Sequence, residues 1–325
     1  MKAPLILEIK GNSLDDGPGI RSVVFFKGCP LSCGWCHNPE SKSPGLEIAF
    51  DAAGCIGCGT CLETCQEAAL SKDNPFYIDR DTCNLCFACV DTCPSGALSR
   101  VGHPMTTEAV LQAVLKDSVF FRNSGGGVTL SGGEPTMFVE FTSNLLKILK
   151  HANIHTLVET CGLFDLEVFE KKLYPFIDMI YYDIKLLDAE AHAHYCGAPN
   201  DRILANFRSL QKKFLGGCVE IIPRTPLIPG ITDTDQNLSG IAKFLRDCNV
   251  HKAQLLAYHP LWRAKNQKIG REDSLANDAA LSQFLSPQKL DACRRIFEAE
   301  GIQTEDDNSS HHRAETKDNR EAVSR

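Results

Sequence analysis

Short apolar runs alternate with longer amphipathic stretches along this chain, and the alternation becomes regular once residues 51–100 are set aside. Runs rich in Val, Ile, Phe and Tyr predict strands over 22–26, 128–130, 156–159, 177–184, 219–222 and 253–257. Stretches with helical periodicity fall between them, over 106–115, 141–151, 203–214 and 237–246. A further helix over 287–300 is marked by Ser286 as N-cap and Pro287 at the first helical position. The strands do not alternate cleanly between apolar and polar residues, which is how strands buried on both faces read, so the sheet is expected to be parallel and covered by helices. Six βα units are too few to close an eight-fold barrel. The expected fold is therefore α/β, a partial (β/α)6 barrel.

The excluded segment gives the chain its domain plan. A chain of 325 residues exceeds a single comfortable core. The barrel is expected from 1–50 and 101–304, discontinuous around an insert at 51–100. Residues 305–325 are almost all polar, without apolar periodicity, and are expected as a disordered tail in which His311 and His312 are solvated. Hydrophobic residues form 43% of the chain, enough for a packed interior, yet no apolar run is long enough to span a bilayer. A formal charge of −7 argues against a nucleic-acid binder held by backbone electrostatics. The absence of a secretory pattern at the start points to the cytoplasm.

Cysteine spacing carries the chemistry. Eleven of the sixteen cysteines fall into three groups. Cys55, Cys58, Cys61 and Cys65 form C-x2-C-x2-C-x3-C, and Cys83, Cys86, Cys89 and Cys93 repeat it. This is the bacterial ferredoxin spacing, in which three thiolates hold one [4Fe–4S] cluster and the fourth reaches across to its twin. The insert is expected to be an α+β bacterial-type 2[4Fe–4S] ferredoxin domain. Cys93 precedes Pro94 as the motif requires, whereas Cys65 precedes Gln66, so the first run is slightly irregular. Zinc favours longer spacers, and disulfides suit secreted chains, so both fit these runs less well. Cys29, Cys33 and Cys36 form a different group, C-x3-C-x2-C, with no fourth cysteine nearby. A cluster held there keeps one iron open, which suits chemistry where closed clusters suit electron transfer.

The remaining motifs follow the expected strands in turn. In parallel α/β folds, reactive groups collect at the carboxyl ends of strands. The triplet follows the first strand, Gly132-Gly133-Glu134-Pro135 the second, and Glu159-Thr160-Cys161-Gly162 closes the third. Asp183-Ile184-Lys185 ends the fourth, Arg224 the fifth and His259 the sixth. Each motif alone reads as a turn or a surface ion pair; six at one end of successive strands do not.

These residues resemble the radical S-adenosylmethionine (SAM) enzymes, specifically the glycyl-radical-enzyme activating family related to pyruvate formate-lyase activase, in its ferredoxin-insert subgroup. The resemblance runs through Asp16-Gly17-Pro18-Gly19-Ile20-Arg21, Lys27-Gly28-Cys29, Trp35-Cys36-His37-Asn38-Pro39-Glu40 and Ser131-Gly132-Gly133-Glu134-Pro135. It continues through Tyr182-Asp183-Ile184-Lys185, Pro226-Leu227-Ile228-Pro229-Gly230 and Leu255-Leu256-Ala257-Tyr258-His259. It implies three [4Fe–4S] clusters, one of them SAM-binding. It further implies reductive cleavage of SAM to a 5′-deoxyadenosyl radical that takes hydrogen from a glycine of a partner glycyl radical enzyme. The cofactors carry the hard step, and the protein binds, orients and excludes side reactions.

The same resemblance implies roles for single residues. Gly132 and Gly133 would admit the methionyl amine, with Glu134 as counter-charge; Trp35 would pack near the adenine. Lys185, His259 and Arg224 would contact the carboxylate or ribose part of SAM. Asp183, with Glu159 and Thr160, would form a monovalent-cation site. Asp16 would meet the incoming glycine loop or cap a turn. His37 would orient its loop. Cys161, Cys196, Cys218, Cys248 and Cys293 stand singly and are expected to be small buried hydrophobes. The insert clusters would relay electrons from a flavodoxin or ferredoxin, with docking and purely structural roles as alternatives. Two other functions compete: a radical SAM enzyme acting on a small molecule or another peptide, and a plain electron carrier with the barrel as scaffold.

Overall fold

The computed structural model describes residues 3–214, 217–272, 275 and 278–305. Eleven strands are present among them: β1 (Leu5–Ser13), β2 (Arg21–Lys27), β3 (Glu47–Phe50), β4 (Leu98–Val101), β5 (His103–Pro104), β6 (Gly127–Gly132), β7 (His155–Thr160), β8 (Met179–Asp183), β9 (Glu220–Leu227), β10 (Lys252–Ala257) and β11 (Gln303–Glu305). Nine of them form one sheet in the order β11-β10-β9-β8-β7-β6-β2-β1-β5. The six expected strands are β2 and β6 to β10, and every pairing along that run is parallel. β11 extends it in parallel at one edge, while β1 pairs antiparallel with β2 and β5 antiparallel with β1 at the other.

The three added strands lacked an apolar run to announce them. Glu8 and Lys10 interrupt β1, β5 has two residues, and Gln303–Glu305 is largely polar. The five expected helices are present as Thr107–Val114, Val139–His151, Asp201–Phe214, Asp235–Asp247 and Pro287–Ala299, and Ser286 caps the last by accepting from the Lys289 amide. Ser118–Ser124, Leu166–Lys172, Ala189–Cys196 and Trp262–Lys268 are further helices of about two turns, too short for periodicity to mark.

Side chains alternate across each strand, and the two faces of the sheet differ. Val24, Val128, Val158, Ile180 and Tyr182 point into the main core, where they meet Leu145, Phe207, Ile241 and Phe297 from the covering helices. On the opposite face Leu157, Tyr181 and Ile222 form a small separate cluster. Two residues further along the same strands, that second face carries Glu159, Asp183 and Arg224.

β3 and β4 pair only with each other, from Glu47 opposite Val101 to Phe50 opposite Leu98. With the short helices Thr60–Thr64 and Ala88–Asp91 they enclose a small core of Ile48, Leu70, Tyr77, Ile78, Phe87 and Leu98. At the carboxyl end Glu305 closes β11. Residues 306–325, which hold the rest of the expected tail with His311 and His312, lie outside the described residues. No helix among the described residues is long and apolar enough to cross a membrane.

Candidate active site

The cysteine triplet occupies the loop that leaves β2. This loop is pinned on three sides. The Gly28 and Cys29 amides donate to Ser41 and Lys42 carbonyls at 2.6 and 3.2 Å. Ser32 and Gly34 amides donate to Cys196 and Tyr195 at 2.8 and 3.0 Å, at the end of helix Ala189–Cys196. Lys42 Nζ reaches back to the Cys33 carbonyl at 2.7 Å. The three thiols are in unlike surroundings. A hydrogen bond with Cys196 holds Cys33 down at about 7 against burial, with help from Lys185 and Lys42. Burial and the neighbouring Cys33 push Cys36 up to about 12.

His37 continues the loop and lies against His259, beyond the end of β10, with ring centroids 3.9 Å apart. Burial, His259 and Lys265 together press the His37 pKa down to about 3, so the ring is neutral. Its Nε2 is buried with no hydrogen-bond partner among the described residues. Lys265, on helix Trp262–Lys268, clamps the same segment by donating to the His37 carbonyl at 2.9 Å and Asn38 Oδ1 at 3.2 Å. Trp35 is buried in an apolar cluster with Leu186, Ile228, Tyr258 and Trp262, its ring 6.1 Å from that of Tyr195.

Gly132 and Gly133 use their freedom on the protein itself. Gly132 has φ +95, and a Cβ there would meet the Phe26 amide nitrogen at 2.6 Å; one on Gly133 would meet the Gly28 carbonyl oxygen at 2.2 Å. In return the Gly133 amide donates to Phe26 and the Glu134 amide to Gly28, each at 2.8 Å. Glu134 is fully buried, and its carboxylate is committed inward. One oxygen accepts from the Thr136 amide, Thr136 Oγ1 and Thr160 Oγ1, the other from the Cys161 amide at 2.7 Å. Glu134 thus ties the ends of β6 and β7 together beside the triplet.

A charged network covers the inner face at the ends of β7 to β9. Arg224 donates to Glu159 at 2.7 Å and, from Nε and Nη2, to Asp183 at 3.1 Å. Lys185 donates to the other Asp183 oxygen at 3.0 Å, and Ser131 Oγ to Glu159 at 2.5 Å. The Arg224 guanidinium also lies 4.7 Å from the Tyr181 ring centroid. Burial raises the Asp183 pKa, but Lys185 and Arg224 outweigh it and hold the carboxyl below its ordinary range. Arg224 does not end its strand as the sequence suggested, since β9 runs three residues further. Pro223 and Pro226 mimic a strand end in the sequence, yet both stand in register, opposite Tyr182 and Leu256.

The insert's eight cysteines divide into two sets of four across the two runs. Cys83, Cys86 and Cys89 share one cavity with Cys65. Cys55, Cys58 and Cys61 share a second, of about 310 Å³, with Cys93. Three thiols from one run and the fourth from the other match the donor set of a paired-cluster ferredoxin.

Other expected residues lie elsewhere. Asp16 stands in the loop between β1 and β2, its side chain bonded to Ser13 and its carbonyl accepting from Thr129 Oγ1 at 2.7 Å. Thr129 pairs with Val23 in the register of β2 and β6, so Asp16 reaches the middle of those strands rather than the triplet loop at their end. Two of the single cysteines are not merely packing. Cys161 meets Cys29 and Cys196 meets Cys33, side by side in one buried cluster. Nothing in the local sequence announced these contacts, which join separate strands and a helix. Cys293 is buried and Cys248 half-buried, whereas Cys218 is exposed, unlike the expected small hydrophobe.

Comparison with known proteins agrees with this geometry. Residues 23–239 match the Radical SAM superfamily. An isethionate sulfite-lyase activating enzyme from Nitratidesulfovibrio vulgaris is 42% identical over 82% of this chain and 88% of its own. A trans-4-hydroxy-L-proline dehydratase activating enzyme from Clostridioides difficile is 36% identical over 93% and 98%. A benzylsuccinate synthase activating enzyme from Thauera aromatica is 38% identical over 84% of each. With its open triplet loop and the charged face beside it, the chain belongs to the radical SAM superfamily and, within it, to the glycyl radical enzyme activating enzymes.

Proposed function

We propose that this chain is a cytoplasmic activase in which the triplet loop holds a SAM-binding [4Fe–4S] cluster and the insert over 51–100, a ferredoxin-like domain on a partial barrel, holds two more. The observation that carries the reading is the thiol arrangement: three unbridged cysteines on a pinned loop, next to a network with fixed positive charge at Lys185 and Arg224. When bound, the open cluster and SAM supply a 5′-deoxyadenosyl radical that takes hydrogen from a glycine of a partner enzyme.

The residues of the chain then orient and shield. Cys29, Cys33 and Cys36 ligate the first cluster. Gly132, Gly133 and Glu134 hold its loop and frame the methionyl amine. Lys185 and Arg224 face the carboxylate of SAM, with Asp183 and Glu159 keeping both cations fixed. His37, lying against His259, leaves its buried Nε2 for a ligand, and Trp35 supports the adenine side. The insert's two thiol sets, Cys65 with Cys83, Cys86 and Cys89, and Cys93 with Cys55, Cys58 and Cys61, ligate the auxiliary clusters. A flavodoxin or ferredoxin would be the source of their electrons. Asp16 belongs to the loop that receives the partner's glycine segment.

Anaerobic reconstitution tests this directly. About twelve irons per chain, expected for three [4Fe–4S] clusters, together with 5′-deoxyadenosine formed from SAM on reduction, supports the proposal. A glycyl radical signal on a co-purified partner completes it. About eight irons with no cleavage leaves an electron carrier instead.

A further inference from the structure

Lys27 is the last residue of β2, two before Cys29, and it has no part in the site described above. Its side chain is wholly buried. Burying an ammonium is costly unless every N–H is met, and here all three are. Nζ donates to the Glu40 carbonyl at 2.8 Å, to the Ser43 carbonyl at 2.9 Å and to the Glu47 carboxylate. Glu47 opens β3, the strand by which the chain enters the insert. Where the chain leaves the insert, between β4 and β5, Gly102 has φ +97, and a Cβ there would meet Lys27 Cδ at 2.8 Å. One lysine therefore meets both necks of the insert: its stem packs at Gly102, and its ammonium holds Glu47 together with the segment over 40–43 that returns beside the triplet. Glu47 also accepts from Arg271 at 3.3 Å, just past the helix whose Lys265 clamps His37 and Asn38.

We propose that Lys27 is a positioning residue: it fastens both necks of the insert to the triplet loop and so fixes where the insert's thiols stand relative to Cys29, Cys33 and Cys36. This rests on the cluster reading above only for its consequence, the spacing between clusters. The fastening itself is independent of it. A methionine would fill the stem's space but donate nothing, so the neck at Glu47 would come loose while the sheet behind it stays.

The test compares the full-length reconstituted wild type with Lys27→Met and Glu47→Gln by amide hydrogen exchange. Pulsed EPR distance measurement between reduced clusters accompanies it. Exchange over 47–50 and 98–104 should rise about ten-fold or more in both variants, with β6 to β8 unchanged. The cluster–cluster distance distribution should broaden at equal iron content. Unchanged exchange at the necks, or an equal rise through β6 to β8, overturns the proposal. If Lys27→Met does not fold, Glu47→Gln decides alone, since it keeps the lysine and most of the volume. A wild type that binds no iron in the insert defeats the cluster reading, and the exchange data still decide the fastening.

Discussion

Arg224 stands directly opposite Asp183 in the register of β8 and β9 and donates to one of its carboxylate oxygens from two nitrogens, each at 3.1 Å. The same guanidinium reaches Glu159 on β7, so one buried cation spans two half-buried carboxylates. The family resemblance implies a monovalent cation with Asp183, Glu159 and Thr160. Here Arg224 lies between the two carboxylates, and the Thr160 hydroxyl donates to Glu134. SAM cleavage should therefore run at the same rate in potassium and in choline buffers.

Arg224→Met follows from the same contact. Removing the guanidinium leaves two half-buried carboxylates short of a partner, a loss of about 1–3 kcal/mol in folding stability. Asp183 would then be held down by Lys185 alone. A depressed carboxyl stabilises the fold above its unfolded pKa and loses that contribution as pH falls through the folded value. The Asp183 carboxyl is then less depressed and has less stability to lose, so the acid limb of a stability profile should be shallower in Arg224→Met than in wild type. Potassium should partly restore the variant and leave wild type unmoved. An acid limb as deep in the variant as in wild type would sink the argument.

Arg21 anchors the other end of the sheet's inner face. It is fully buried and donates to Thr129 Oγ1, the Val128 and Pro18 carbonyls, and His155 Nδ1 at 3.4 Å. Burial first, and Arg21 second, push the His155 pKa down. The folded protein therefore binds fewer protons there than the unfolded chain. Stability from this group is complete above the free histidine value of about 6.5 and is lost as pH falls below it. His192 is depressed by burial in the same sense. Melting temperature should drop as pH falls from about 7 to about 5, and His155→Gln, which keeps an acceptor for Arg21, should flatten that drop. Parallel curves for variant and wild type would show that His155 does not contribute.

Gly132→Ala tests the link from β6 to the triplet. The added carbon would press on the Phe26 backbone at 2.6 Å in a conformation that L side chains seldom adopt. Backbone cannot rotate aside, so β2 must shift three residues before Cys29. A loss of about 3 kcal/mol or more in stability is expected. Iron content should fall by the share of one cluster while the insert keeps its own. Full iron at the triplet would mean that the loop tolerates a displaced β2.

The order of the strands and the loops that carry the chemistry were legible because each apolar run ended in an unusual motif. What the motifs do to one another was not. His37 and His259 stack across 222 residues of sequence, and no local pattern marks that contact. Glu134 looked like a ligand for an amine, yet its carboxylate turns to Thr136, Thr160 and Cys161, which only strand adjacency brings together. Arg224 follows an apolar run that stops at Ile222, yet β9 continues in register through Pro223 and Pro226. Helices of two turns escaped because so few residues cannot establish a period. Lys27 was visible only as a letter in a motif; its partners lie thirteen to twenty positions away, on the path into the insert.

The insert's division of thiols makes the last prediction sharp. Cys58 belongs to the set closed by Cys93, and Cys86 to the set closed by Cys65. Cys58→Ser and Cys86→Ser should each remove about four irons, one cluster's worth, and leave the other set and the triplet loaded. If the insert relays electrons, turnover with reduced flavodoxin should collapse in both variants while turnover with a small chemical reductant, which reaches the triplet directly, is largely kept. A docking surface without relay predicts weaker flavodoxin binding but an unchanged maximal rate at saturating flavodoxin. A structural role predicts equal losses with both reductants, and that result would remove the relay from the mechanism.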